Sequence, residues 1–315
     1  MGGVLTTVMN RHAQNPLITA QAFPEKDVVA VFNPAAMRLP EGDIGLLVRV
    51  RTSDGHSHLR LLSSTNGFTD WILRSESSLT FRSENINDQL LSVEDARVSR
   101  LDDTENYMVT CTVLSRSGPA VAGMITKDFL HFQHLGTLLP VENKNAAVFP
   151  RQIGGKWRML HRPTASAGYR GAGVWICESI DLRHWGNHRL VFSPRERGDW
   201  DGFRVGVGPP PLEDELGWVV LYHGVCRDAG TTIHRLGAIL LDRNDPTQVL
   251  RRPASFLMAP EAAYERSGDA QTVFCNGCIL DESRDTITLY YGAGDTSICA
   301  ATAAWSEIRD GILAC

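Results

Sequence analysis

The sequence predicts an all-β fold, a five-bladed β-propeller whose innermost strands line a central channel. Three observations carry that prediction. A phrase built of a small polar residue, a turn, an aromatic and a further strand recurs in "SSTNGFTDWILRSESSL" (63–79), "MITKDFLHFQHLGTLL" (124–139) and "ICESIDLRHWGNHRLVF" (176–192). Five strands rich in β-branched and aromatic residues punctuate the chain: "IGLLVRV" (44–50), "YMVTCTV" (107–113), "WRMLHRP" (157–163), "WVVLYHG" (218–224) and "ITLYYGAGD" (287–295). Apart from "ATAAWSEIRDGIL" (301–313), no stretch sustains the 3.6-residue apolar period of a helix over three turns.

Each of the five strands follows another short apolar strand. In order these are "VFNPAAMRL" (31–39), "VEDARVSRL" (93–101), "AAVFPRQI" (146–153), "GPPPLED" (208–214) and "VFCNGCIL" (273–280). Aligning the second strands puts Arg49, Thr112, Arg162, His223 and Tyr291 at equivalent places, 63, 50, 61 and 68 residues apart. The spacing exceeds the roughly 40 to 50 residues of common propeller repeats and suits four-stranded blades with generous loops. A β-sandwich also has regular short strands, but it does not account for a five-fold recurrence. We therefore expect residues 1–315 to form a single propeller domain.

Composition narrows the function. With 36 acidic residues against 31 Lys plus Arg and a pI of about 6.1, the chain lacks the basic excess that nucleic acid binding requires. No apolar run approaches the length of a membrane span and the N-terminus lacks a secretory pattern, so a cytoplasmic location and no membrane partner are expected. The seven cysteines lie scattered in apolar segments, unlike a disulfide framework. Cys275 and Cys278 form one CxxC without a second ligand pair, so no metal is expected there or elsewhere.

In a propeller, residues at the same end of successive blades meet around one axis. The stretch "SVEDARVSR" (92–100) then acquires a purpose, because Glu94 and Asp95 would share a pocket with Asn33, Arg49, Lys144, Asn145, Arg162, Arg204, His223, His234 and Asp295. Charge on apolar strands is expensive unless paired or used. Asp95 paired with Arg97 or Arg162 in a capped turn is the structural alternative for any one residue. The set holds more cations than two carboxylates neutralise, which points to a small anion among them. Guanidinium forks suit phosphate, and no nucleotide-binding loop is present.

The motifs "FNPA", "EDAR", "NKNAAVFP", "HRP", "GPPPLEDELGWVVLYHGV", "HRLGAILLDRNDPTQVL" and "YYGAGDT", in this order over nearly the whole chain, resemble glycoside hydrolase family 130. That family holds largely inverting β-mannoside phosphorylases on five-bladed propellers, with some β-mannosidases. The resemblance implies a glycosyltransferase-type phosphorylase that cleaves a β-mannoside oligosaccharide with inorganic phosphate, needing no cofactor, to give α-mannose 1-phosphate. It makes Asp95 the general acid, its proton passing through the 3-hydroxyl of the mannosyl unit, with Glu94 raising its pKa or binding sugar. Phosphate would be held by Arg49, Arg162 and His223, with Lys144, Arg204 and His234 beside them. Asn33 and Asp295 would bind sugar hydroxyls, and Trp71, Tyr169 and Tyr264 are candidates for stacking on sugar faces. Arg97 reads as a residue that positions the acids.

Two departures stand out. A tyrosine commonly precedes "RLGA" in the phosphorylases where this chain has His234, and a lysine often occupies the site of Arg204. Both keep a donor, and a histidine titrating near neutrality would alter the pH dependence. The alternatives are an inverting β-mannosidase, for which Glu213, Asp214 or Glu215 is the candidate base or otherwise a solvated loop, and a carbohydrate-binding propeller without catalysis. A homo-oligomer is compatible with the sequence, and the acceptor sugar is left open.

Overall fold

A computed structural model describes residues 9–74, 90–102, 104–164, 173–267 and 270–314. Among the described residues the fold is all-β with one α-helix, at the C-terminal end. The chain opens with β1 (Asn10–Arg11) and then lays down antiparallel four-stranded meanders. The first unit is β2 (Val28–Arg38), β3 (Ile44–Thr52), β4 (Ser57–Ser64) and β5 (Ile72–Leu73). The second is β6 (Leu90–Arg100), β7 (Tyr107–Ser115), β8 (Gly118–Thr126) and β9 (Phe132–Leu139), and the third is β10 (Asn143–Val148), β11 (Trp157–Pro163), β12 (Val174–Ser179) and β13 (Gly186–Phe192).

The fourth unit has a divided first strand, β14 (Arg204–Val207) and β15 (Leu212–Asp214), both paired with β16 (Gly217–Asp228) and followed by β17 (Thr231–Leu241) and β18 (Val249–Arg251). The expected strand over 208–214 is interrupted at Pro209 to Pro211, which have no N–H to give to a ladder. The fifth unit is β19 (Gln271–Asp281), β20 (Thr286–Ala293) and β21 (Ser297–Ala304), and β1 returns as its fourth strand through Asn10↔Thr302 and Arg11↔Ala301. Two parallel pairs, Ile233↔Gln271 and His234↔Thr272, join the fourth and fifth units. The helix α1 (Trp305–Leu313) buries Trp305, Ile308 and Ile312, as its apolar spacing predicts. Among the described residues no helix is long and apolar enough to cross a membrane.

Strand alternation explains where the core sits. Side chains of one strand leave on opposite faces, so each unit packs against two neighbours. Leu46, Val48 and Val50 of β3 meet Tyr290, Ile298 and Ala300 of the fifth unit, whereas Leu47 meets Val93 and Val109 of the second. Similar clusters join the second unit to the third, the third to the fourth, and the fourth to the fifth. The recurring phrase is a hydrogen-bonded turn between third and fourth strands. Asn66, Asp128 and Asp181 each accept two backbone N–H groups there, and His131 and His184 close on the aspartates.

Candidate active site

Three first strands share one irregularity. Register shifts between Phe32 and Ala35, between Glu94 and Arg97, and between Lys144 and Ala147. Asn33, Asp95 and Asn145 occupy these bulges with φ of 50°, 51° and 54°. Left-handed backbone is uncommon outside glycine, and Asn and Asp accept it best. A β-bulge re-aims a side chain out of the ladder, and here the same device is used three times.

The second strands supply the facing groups. Arg49 pairs with Phe32, Thr112 with Glu94, Arg162 with Lys144 and His223 with Gly206, so four residues aligned from sequence stand on equivalent rungs. Arg49 follows the alternation of Leu47 toward the second unit, Arg162 that of Leu160 toward the fourth, and His223 that of Leu221 toward the fifth. The fifth position differs. Tyr291 turns to the fourth unit, where its hydroxyl donates to Glu265 at 2.8 Å, and Gly292 faces Asn33 instead.

Acidic groups gather between the first and second units. Arg49 donates from Nη2 to Glu94 Oε1 at 2.7 Å and from Nη1 to Asp95 Oδ1 at 3.2 Å, while its Nε is held by Ser57 Oγ at 3.0 Å. Asn33 Nδ2 donates to the same Asp95 oxygen at 2.9 Å, and Asn33 Oδ1 is buried without a hydrogen-bond partner. Burial pushes the Asp95 carboxyl up, but Arg49, the Asn33 amide and Lys144 together pull it below its ordinary value. Burial likewise raises Glu94, and the charge of Asp95 adds to that against the pull of Arg49. The proton thus favours Glu94, contrary to the expectation that Glu94 lifts Asp95.

Cationic groups gather between the third and fourth units. Arg162 is buried, and burial together with Arg204 and Arg97 brings its guanidinium down to about 9. The Nε atoms of Arg162 and Arg204 and Nδ1 of His223 are all buried without a hydrogen-bond partner. Lys144 lies between the two groups, its amine lowered mainly by burial while both carboxylates oppose that shift. Burial, with Arg162 and His234, holds His223 neutral, and its ring packs against Phe274 at 4.5 Å between centroids.

His234 corrects the expected titration near neutrality. Burial and the charges of Arg204 and Arg162 lower it to about 3, so it is neutral. Arg204 Nη2 lies 3.3 Å from His234 Nε2, and arginine can only donate, so Nε2 accepts and Nδ1 points its proton at Thr272 Oγ1, 3.2 Å away. His234 therefore orients Arg204 and offers no proton from Nε2.

The remaining expectations divide. Arg97 is buried and donates from Nε to Gly208 O at 2.7 Å, from Nη2 to Val207 O at 2.8 Å and from Nη1 to Asp95 O at 2.9 Å. It ties the second unit to the fourth as a positioning residue. Asp295 lies at the turn after β20, with φ of 54°, near enough to raise Arg49. Trp71 and Tyr264 pack with core clusters, and Tyr169 lies outside the described residues.

Glu213 and Asp214 stand on β15 rather than in a solvated loop, whereas Glu215 is exposed in the turn that follows. Glu213 is bound by Arg151 and Arg243, and Arg309 pairs with both Asp214 and Glu215. Glu213 pairs with Trp218 on β16, five residues from His223 and so roughly 16 Å along the strand. None of the three is placed as a base.

Two glycines were missed in the sequence. A Cβ on Gly206 would fall 2.5 Å from His223 Nε2 and 2.7 Å from Asn145 Nδ2, and one on Gly292 would fall 2.3 Å from Asn33 Oδ1. Glycine inside a strand is a signal of close approach, and "RVGV" and "YYGAG" carry it.

The sequence model of the glycoside hydrolase 130 family, described as beta-1,4-mannooligosaccharide phosphorylase, matches residues 6–312. A beta-1,2-mannobiose phosphorylase from Listeria innocua is 39% identical over 70% of this chain, an alignment that spans 60% of the relative's length. A 1,2-beta-oligomannan phosphorylase from a Thermoanaerobacter species is 29% identical over 96% of this chain and 99% of its own. The solved beta-1,2-mannobiose phosphorylase from Listeria innocua, in complex with beta-1,2-mannobiose, superposes with a TM-score of 0.86 at 29% identity, covering 97% of this chain and 99% of the other.

Proposed function

The chain belongs to glycoside hydrolase family 130, and from that membership we propose that it phosphorolyses a β-mannoside, inverting C1 to release α-mannose 1-phosphate. The names of the relatives favour a β-1,2-linked substrate. We further infer that the five units are blades of one five-bladed propeller domain. The return of β1 to β21 and the Arg97 bridge from second to fourth unit support that reading.

The observation that carries the function is a pair of arginines, the buried Arg162 and the half-buried Arg204, whose Nε atoms are buried without partners beside the partnerless His223 Nδ1. Buried donors without acceptors are rare in folded proteins, and a phosphate presents several acceptor oxygens at once. Two like charges brought together out of full contact with water disfavour the folded protein until an anion joins them. Water as the nucleophile would leave that cost in place.

Phosphate held by Arg162, Arg204 and His223 would attack C1 from the face opposite the leaving oxygen. Asp95 would supply the proton that the leaving oxygen needs, relayed through the sugar 3-hydroxyl as the family resemblance implies. Asn33, Glu94 and Asp295 have acceptor oxygens for the mannosyl hydroxyls. Asp95 must be protonated to act, and phosphate would help in two ways. It competes for Arg49 and adds negative charge nearby, and both raise the Asp95 pKa.

The test is incubation of the protein with β-1,2-mannobiose, β-1,4-mannobiose and 4-O-β-mannosyl-glucose, with and without phosphate. Phosphate-dependent α-mannose 1-phosphate formation from the β-1,2 substrate is expected. Mannose released equally fast in both conditions would overturn the assignment.

A further inference from the structure

On the opposite face of the strand that presents Arg162 stands a second convergence of side chains. His161 of β11, Cys177 of β12 and His188 of β13 each bring one ligand atom within 4.8 Å of the others. His161 and Cys177 are buried and His188 is exposed. Met159 and Cys177 belong to the core between the second and third units, and His161 shares that face by alternation.

We propose that His161 Nε2, Cys177 Sγ and His188 Nδ1 bind a zinc ion, with its fourth position open to water beside His188. Asn143 Oδ1 lies 2.8 Å from His161 Nδ1 and can only accept, so Nδ1 holds the ring proton. The Nε2 lone pair is thereby aimed into the cluster, where His188 Nδ1 lies 3.0 Å away. A ligating histidine whose second nitrogen is fixed by an oxygen is the usual outer arrangement of a metal site.

The donor set suits zinc, which takes thiolate and imidazole together in a tetrahedron. Zinc bonds of about 2.0–2.3 Å place ligand atoms roughly 3.3–3.6 Å apart. The two nitrogens must therefore open by a few tenths of an ångström and the sulfur draw in. His188, on an exposed outer strand, has the freedom to move. Cys177 Sγ now donates to Met159 O at 3.6 Å. On binding, the S–H bond breaks and a Zn–S bond forms, the thiol proton leaving to solvent, while His188 moves its ring proton from Nδ1 to Nε2 so that the Nδ1 lone pair can ligate.

Zinc uptake is measured against a competing chromophoric chelator, and cobalt replaces zinc to report a thiolate charge-transfer band. One equivalent per chain and that band are expected. Cys177→Ser and His188→Ala each weaken binding by at least about tenfold, and Asn143→Ala, which touches no metal, weakens it by about 10–100-fold. His188 is exposed, so its variant keeps the fold. No zinc uptake by the parent protein, no cobalt band, or parent-like affinity in His188→Ala would overturn the proposal and leave a His188-to-His161 hydrogen bond above a core thiol.

Discussion

Asn33 donates from Nδ2 to Asp95 Oδ1 at 2.9 Å, and both residues stand at left-handed φ on equivalent bulges of neighbouring sheets. The contact fixes the acid from the adjacent unit, so its aim does not depend on its own strand alone. Asp95→Asn keeps the shape and the tolerance for that backbone while removing the transferable proton. We expect kcat to fall by about 10²–10⁴-fold with sugar binding retained. Unchanged turnover in Asp95→Asn would exclude Asp95 as the acid.

Gly292 explains how Asn33 reaches its place. In Gly292→Ala the new Cβ would lie 2.3 Å from Asn33 Oδ1 and 2.8 Å from its backbone nitrogen, so the amide must move. A displacement of about 1 Å at a reacting group costs up to roughly 100-fold in rate. Steady-state kinetics should show a lower kcat. The matching Gly206→Ala, which crowds His223, should raise KM for phosphate and spare kcat. Parent-like kinetics in both variants would deny the two glycines a role.

The acid pair predicts a pH shift of defined sign. Arg49 divides its guanidinium between Glu94 and Asp95. Glu94→Gln leaves Arg49 to Asp95 alone, and that stronger pairing lowers the Asp95 pKa further. Activity requires protonated Asp95, so the alkaline limb of the pH profile of kcat/KM should move to lower pH. A limb that stays put or moves up would mean that another group reports there.

Much of this site was legible, and the exceptions have physical causes. Motif order brought Arg49, Arg162 and His223 to equivalent rungs because strand alternation is regular along a second strand. A one-residue bulge breaks that regularity and leaves little trace in apolar patterning, since the shift inverts faces from that point on. In the fifth unit the extra residue, Asn276, lies on β19, and on β20 it is Gly292, one residue past the aligned Tyr291, that faces Asn33 while Tyr291 turns to Glu265. Protonation was the least legible property. His234 and the acid pair depend on burial and on charges from other units, which no local motif records.

Arg97 serves the fold through three backbone carbonyls, Asp95 O, Val207 O and Gly208 O. Arg97→Met leaves all three without that donor, at about 1–3 kcal/mol for each buried group left unsatisfied. Arg97→Lys cannot reproduce the fork and should recover little. Denaturant unfolding should show both variants destabilised by several kcal/mol. A parent-like midpoint would show that other donors satisfy these carbonyls.

Arg162 should trade stability for function. Its pKa of about 9 means that the folded state disfavours its charge, chiefly through burial and then through Arg204 and Arg97. Arg162→Met removes that cost, and replacing an unfavourably buried charge with an apolar group gains about 1–4 kcal/mol. For a base lowered on folding, the cost is complete below the folded pKa and fades as pH rises above it. The gain should therefore be full at neutral pH and shrink above about pH 9. Phosphate should close most of that gap or reverse it, because a ligand at 100 times its Kd adds about 2.7 kcal/mol to the parent alone. Thermal melts with and without phosphate read both effects, and a phosphate-induced rise in Tm that survives in Arg162→Met would remove Arg162 from the anion site.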